Sequence, residues 1–570
     1  MTQRVSRHFV TLDGRWGTRQ VHYRRAGSGP PLLMLHQSPQ SSRELVPLME
    51  QWGESFTIVA PDSPGYGLSD PLAPLDTEGD ELELSDFSDA TIEFMDAIGA
   101  GRFGIYGFHT GGMIGIAIAH GYPDRVAGFA CNGVAVPTDD ELADILDRYL
   151  PRLEPRWDGG HLAWLWSRMR EQTIFFPWHN RTLAGRMDFP MPAPEHQQNS
   201  VLELLRAGDH YADAYRAAFV YHAERVVPEL RVPGLITAGD WDPLQEHLAR
   251  LPEPPDCVQV FPSETLEESL QRCFDHVHAN TGEALPAAPT TTPATNRLWR
   301  QVVATSAGEC LVTCGGPATT PPVLVLHGAG GSSSTVAPIV TGLAQTRAAF
   351  AIDLPGHGES DYDVGAGGVT VEACADAVLH VLNAMNLQTV DLVGDNGGAL
   401  IALELASRHA NRVGRLALVN PPKFNPEQVD AFHESGLPSL APDWFGGHLL
   451  RCWHMVRDSR LYFPWFQRDQ AGILWRKPDL DDRRIQAEVI DYLKAEGAWQ
   501  QLLHSQLAYL LRPRLEAYGE GLTLFAARQS PWFENTEATA KKLKLPFAIL
   551  DGDRDAWGAQ ISALYAEQGG

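Results

Sequence analysis

An imidazole inside a glycine-rich segment is the sharpest chemical feature of this sequence. Gly107-Phe108-His109-Thr110-Gly111 follows one apolar run and opens another, so His109 lies where a strand turns into a helix. Imidazole titrates near neutrality, so His109 can act as general base, general acid or nucleophile, or simply touch a ligand. Asp242, in VPGLITAGDWDP, carries a carboxylate that would orient such an imidazole and raise its basicity, or would cap the helix that follows. His161 and His448 each open a helical stretch after Gly-Gly. Either is a second base, or a helix-start histidine bonded to backbone. Arg170 and Arg457 can clamp a substrate carboxylate or pair with neighbouring acids. Trp166, Trp178, Trp453 and Trp465 either wall a substrate or pack helices onto a sheet. There is no P-loop, no dinucleotide fingerprint in a strand–helix context and no metal-ligand spacing, so neither cofactor nor metal is expected.

The elements that must position these residues come in two matched sets. PPLLMLHQSP at 30–39 reads like PPVLVLHGAG at 321–330, and APDSPGYGLSD at 60–70 like AIDLPGHGESD at 351–361. IYGFHTGG matches LVGDNGGA, and GGHLAWLWSRMREQTIFFPW matches GGHLLRCWHMVRDSRLYFPW. The offsets are 291 for the first two pairs and 287 for the last two, which indicates a repeat across most of each half. A Pro-, Thr- and Ala-rich stretch, 280–296, reads as an extended linker between domains 1–279 and 297–570. Within each half, short apolar runs such as LLML, FTIVA and FGIYG read as buried parallel strands, with amphipathic helices between them. The fold class is α/β, with two doubly wound, mostly parallel sheets in tandem. Helical inserts at about 137–228 and 424–515 form a cap over the C-terminal strand ends, where open α/β sheets bind ligands.

On the His after the third strand, the D-x-P-G-x-G-x-S-D turn and the glycine-rich elbow, each half resembles an α/β-hydrolase with a helical cap. The resemblance implies that His109 and Asn396 hold the positions of the nucleophile, where the family has serine in G-x-S-x-G. It places Asp242 at the acid position of the first half. For the second half two alignments compete: one nominates Asp555 in FAILDGDRDAW, the other sets TLFAARQSPW against LITAGDWDPL and puts Ser530 there. The second keeps the offset and leaves room for a closing strand and helix, so Ser530 is preferred. The family's histidine after the last strand is absent from both halves. The turns His36-Gln37 and His327-Gly328, with the amides of Thr110 and Gly397, correspond to the family's oxyanion hole. A Ser-His-Asp relay cannot be assembled from these positions.

The 570 residues carry 45 basic and 71 acidic side chains, a net charge of −26, with 44% hydrophobic content. This is a core-forming globular protein whose charge disfavours nucleic acid and anionic membrane as partners. Seven scattered cysteines make no disulfide framework, Cys310 and Cys314 falling on an expected strand pair, and a reducing cytoplasm fits best. The expected activity is ester or lactone hydrolysis, or C–C cleavage, on a small, largely apolar carbonyl compound. His109 would be its centre, and the second half would be an impaired partner in an intramolecular pseudo-dimer. The competing expectation is a small-molecule-binding protein without turnover.

Overall fold

A computed structural model describes residues 4–72, 81–518 and 521–567. The chain separates into two compact units, one of residues 1–154 and 164–292, the other of 155–163 and 293–570. The first unit contains strands β1 (Ser6–Gly14), β2 (Gly17–Ala26), β3 (Pro31–Leu35), β4 (Thr57–Pro61), β5 (Phe103–Phe108), β6 (Val126–Asn132), β7 (Gly234–Gly239) and β8 (Val258–Ser263). They form one sheet in the order β1-β2-β4-β3-β5-β6-β7-β8, antiparallel where β1 meets β2 and β2 meets β4, and parallel elsewhere.

The second unit repeats this plan with β9 (Trp299–Thr305), β10 (Gly308–Gly315), β11 (Val323–Leu326), β12 (Ala349–Ile352), β13 (Val390–Asp395), β14 (Val413–Val419), β15 (Leu522–Ala527) and β16 (Phe547–Leu550). Its order is β9-β10-β12-β11-β13-β14-β15-β16, the same topology position for position. Along β11, Leu324 and Leu326 enter one hydrophobic core while Val323 and Val325 enter another. Alternate side chains of a strand point to opposite faces, so a sheet covered by helices on both sides needs apolar residues at every position. That is why these strands read as unbroken apolar runs.

The helical inserts lie between β6 and β7 and between β14 and β15. The stretch read as a linker is partly fastened to the first unit. Glu283 N–H donates to Arg102 O at 2.9 Å, Thr291 Oγ1 to Phe9 O at 2.8 Å, and Thr11 Oγ1 to Thr292 O at 2.6 Å. Residues 155–163 group with the second unit because Gly159, at φ +73°, lies flat against the Trp453 indole, where a Cβ would come within 2.8 Å. Cys310 and Cys314 lie on β10, which pairs with β9, and all seven cysteines are free thiols. Among the described residues no helix is long and apolar enough to cross a membrane.

Candidate active site

In the first unit β5 runs into the helix Thr110–Gly121 through one residue, His109, with φ +47° and ψ −113°. This conformation is unfavourable for any residue with a Cβ, and the surrounding packing enforces it. A Cβ on Gly107 would lie 2.3 Å from Gly111 O, and one on Gly111 2.2 Å from Leu35 O. The two glycines thus let the helix start press against β3 and β5, leaving the side chain between them to project from the strand end.

Asp242 sits in the turn after β7. Its N–H donates to Gly239 O at 3.0 Å and its Oδ1 accepts from Leu244 N–H at 2.9 Å. Its Oδ2 meets His109 Nε2 at 2.7 Å, joining residues 133 positions apart. The carboxylate is fully buried, whereas the imidazole keeps 24% exposure. Burial opposes ionisation of Asp242, but the His109 charge and hydrogen bond, with the Leu244 amide, outweigh it and hold the carboxyl below its usual range. Burial likewise disfavours the imidazolium, yet Asp242, and then Glu44, lift His109 above the ordinary histidine value. With Nε2–H committed to Asp242, Nδ1 is the nitrogen left for chemistry. The Phe108 ring stacks on the imidazole at 4.1 Å.

Two residues unmarked by any motif complete the arrangement. Gly133, at φ +85°, supplies the space: a Cβ there would stand 2.2 Å from His109 Cδ2 and 3.1 Å from Asp242 Oδ2. Glu44 supplies a second carboxyl. Its Oε1 accepts from Gln37 N–H at 2.7 Å and its Oε2 from Gln37 Nε2 at 3.0 Å. Burial raises its pKa to about 7, against the lowering pull of the Gln37 bonds and the His109 charge. The amide expected to face a substrate oxyanion at Gln37 therefore already holds a side chain of the protein. Thr110, the other expected donor, opens its helix with no side-chain cap before it.

Several expected site residues lie elsewhere. His36 is buried; Nδ1–H donates to Gln37 O at 2.8 Å and Nε2 accepts from Ser63 N–H at 2.8 Å, tying two turns together. His327 does the same between Gly328 O and Leu354 N–H, at 2.8 and 3.0 Å. Both tie rods use both ring nitrogens, so neither histidine faces a substrate. His161 is buried at its helix start, where Nδ1 accepts from Arg156 N–H at 3.1 Å, and it belongs to the second unit rather than to the His109 pair. Its pKa is pushed down to about 4 by burial. His448 repeats this with Asp443 N–H at 3.3 Å. Trp166 is buried, its carbonyl accepting from Gln197 Nε2 at 3.4 Å, and packs the cap. Arg170 is half-buried, its carbonyl accepting from Thr173 Oγ1 at 2.8 Å. Arg457 lies 4.0 Å from its neighbour Asp458.

Residues 30–160 and 321–533 match the family described as alpha/beta hydrolase fold, more than half of the chain. The chain belongs to the α/β-hydrolase fold family. A haloalkane dehalogenase 2 of Mycobacterium bovis is 32% identical over 138 residues, 24% of this chain and 45% of that protein. A soluble epoxide hydrolase of a Corynebacterium species is 29% identical over 127 residues, 22% of this chain and 41% of that protein. The match thus spans less than half the length of these relatives. Among solved structures, the enol-lactonase from Burkholderia xenovorans is 19% identical with a TM-score of 0.33, covering 47% of this chain and 97% of that one.

The second unit of this α/β-hydrolase fold chain keeps the elbow, with its projecting residue exposed. Asn396 has φ +49° and ψ −120°, the His109 conformation, so Asn396 and not Asp395 is the projecting residue. Asp395 ends β13 in an ion pair with Arg554, which comes from the turn after β16. Where the first unit has Gly133, the second has Asn420, whose Oδ1 accepts from Ala527 N–H at 2.9 Å. A Cβ on Gly397 would fall 2.5 Å from Gln506 Nε2, so that amide side chain covers the elbow backbone. Gly328 lies close to Gly397, where a Cβ would contact its N at 3.1 Å. Ser530 repeats the Asp242 turn bond for bond: its N–H donates to Ala527 O at 2.8 Å and its Oγ accepts from Trp532 N–H at 3.2 Å. Asp555 lies beyond β16, in the turn Arg554–Ala556. Among the described residues no group of three or more His, Cys, Asp or Glu side chains is arranged to hold a metal ion.

Proposed function

We propose that the first unit hydrolyses a small ester or lactone without a serine, with His109 standing at the elbow where the hydrolases it resembles carry that residue. The observation that carries this reading is the 2.7 Å contact between His109 Nε2 and the buried Asp242 carboxylate. It orients the imidazole and leaves Nδ1 as a base of raised pKa. Nδ1 takes a proton from water while the water oxygen bonds to the carbonyl carbon. Glu44, protonated up to about pH 7, gives its proton to the carbonyl oxygen as the C=O π pair moves onto it. Collapse re-forms C=O and returns that proton to Glu44. The C–O bond to the leaving group breaks, and the leaving oxygen takes the proton from Nδ1. Water is consumed and both groups are restored. The second unit, with Asn396 at its elbow and Ser530 in place of an acid, serves as a non-catalytic partner.

The test is turnover of p-nitrophenyl acetate and dihydrocoumarin by the full chain and by His109→Ala and Asp242→Asn. A fall of about 10²–10⁴-fold in kcat/KM in both variants is expected for loss of a general base and of its orienting acid. Equal turnover in all three would remove His109 from the mechanism. Tight binding of these compounds without turnover would favour a receptor.

A further inference from the structure

Among the described residues, Arg168 is a buried cation with no ion-pair partner. It lies in the helix Gly160–Ile174, in the part from 164 onward that belongs to the first unit, and is 1% exposed. Its Nη1 donates to Gln172 Oε1 at 2.7 Å and lies 3.1 Å from Met169 Sδ. Its Nε and Nη2 have no acceptor among the described residues. Those two N–H groups form one edge of the guanidinium fork, the edge that matches a carboxylate with two parallel hydrogen bonds.

Three aromatic rings surround the guanidinium. The guanidinium carbon lies 5.6–5.9 Å from the ring centres of Tyr149, Trp178 and Tyr211. Their polar atoms are engaged elsewhere: Trp178 Nε1 donates to Tyr149 O at 3.0 Å, Tyr149 and Tyr215 share a bond at 3.1 Å, and Tyr211 OH donates to Pro151 O. Burial, partly countered by Arg168, raises the pKa of Tyr149 and takes that of Tyr211 to about 12, so both hydroxyls stay neutral. Ring faces compensate part of a guanidinium charge, but a buried charge without a counter-ion is still unfavourable.

The cage is tied to the turn after β3. Tyr66 OH donates to Tyr211 O at 2.7 Å, accepts from Ser38 Oγ at 2.9 Å, and sets its ring edge against His36 at 5.7 Å. Arg168 is therefore connected to the turn that carries Gln37 and, through it, Glu44. At the matching position the second unit has Met455.

We propose that Arg168 binds the carboxylate of an anionic carbonyl substrate through its Nε–Nη2 edge. This rests on the hydrolase reading above and narrows its substrate to esters or lactones with a free carboxylate.

The experiment compares the full chain with Arg168→Met, the residue the second unit already accommodates. Thermal unfolding is followed with benzoate and with benzamide, its neutral counterpart. Expected is a rise in Tm with benzoate alone, lost in Arg168→Met, and an Arg168→Met protein without ligand at least as stable as the parent. For turnover, KM for mono-p-nitrophenyl succinate rises about 10–100-fold in Arg168→Met, while KM for p-nitrophenyl acetate changes less than about two-fold. No benzoate-dependent shift in the parent, or an equal shift in Arg168→Met, overturns the proposal. So does a drop of several degrees in Arg168→Met without a benzoate effect, the mark of a purely structural arginine. His109→Ala is expected to keep the benzoate shift, so a failure of the His109 mechanism is seen separately from a failure at Arg168.

Discussion

Gly133→Ala isolates what the His109–Asp242 pair owes to a missing side chain. The added Cβ would fall 2.2 Å from His109 Cδ2 and 2.8 Å from Nε2, so the imidazole must leave its place. Two costs follow. The backbone at φ +85° resists any Cβ by about 1 kcal/mol. Displacing the ring breaks a hydrogen bond to a buried carboxylate, which costs about 2 kcal/mol more. Gly17→Ala is the control, since Gly17 has φ +74° and nothing within 4 Å of a built Cβ, and bears only the first cost. The expected gap between the two variants is about 2 kcal/mol, or about 4–8 °C in Tm for a domain of this size. The second readout is the NMR pH titration of the His109 ring. Burial disfavours the imidazolium and Asp242 offsets it, so with the pair broken His109 titrates below its parent value. Turnover falls with it. Equal melting of the two variants with an unmoved His109 titration would refute the role given to Gly133 and to the pair's geometry.

The charge states carry two further expectations. Glu44 titrates at about 7 in the folded chain against 4.5 as a free side chain, so above 4.5 the unfolded chain releases a proton that the folded one retains, and stability falls until about pH 7. The full shift corresponds to about 3 kcal/mol, reduced to about 1–2 by solvent at the partly exposed edge; Glu44→Gln should therefore melt higher than the parent at pH 8 but not at pH 4, and a pH-independent difference would contradict this. In the second unit Asp395 is buried, and burial raises its pKa despite Arg554. Arg554→Ala strands that carboxylate, so a loss of about 3 kcal/mol is expected at pH 8, shrinking as pH falls toward 4 and Asp395 takes up a proton; denaturant unfolding at the two pH values measures it.

What the sequence determined by itself is the periodic and the repeated. Unbroken apolar runs made buried parallel strands, glycines around His109 and Asn396 made two elbows, and the steady offset set Ser530 against Asp242. Each of these depends on local backbone needs or on which face of an element meets a core, and both leave a pattern in neighbouring residue types. Tertiary structure decided which side chains meet. Gly133 and Glu44 carry no spacing signal, because Gly133 acts by lacking a Cβ beside two distant residues and Glu44 by reaching a turn seven positions away. His36 and His161 look reactive in sequence, yet each spends a ring nitrogen on a backbone amide that only folding brings near. Arg168 and Arg170 are chemically equal in the sequence, and packing buried the first among three aromatic rings. Residue type states what chemistry a position can do, while burial, charge neighbours and free space, all long-range properties, decide whether it does it.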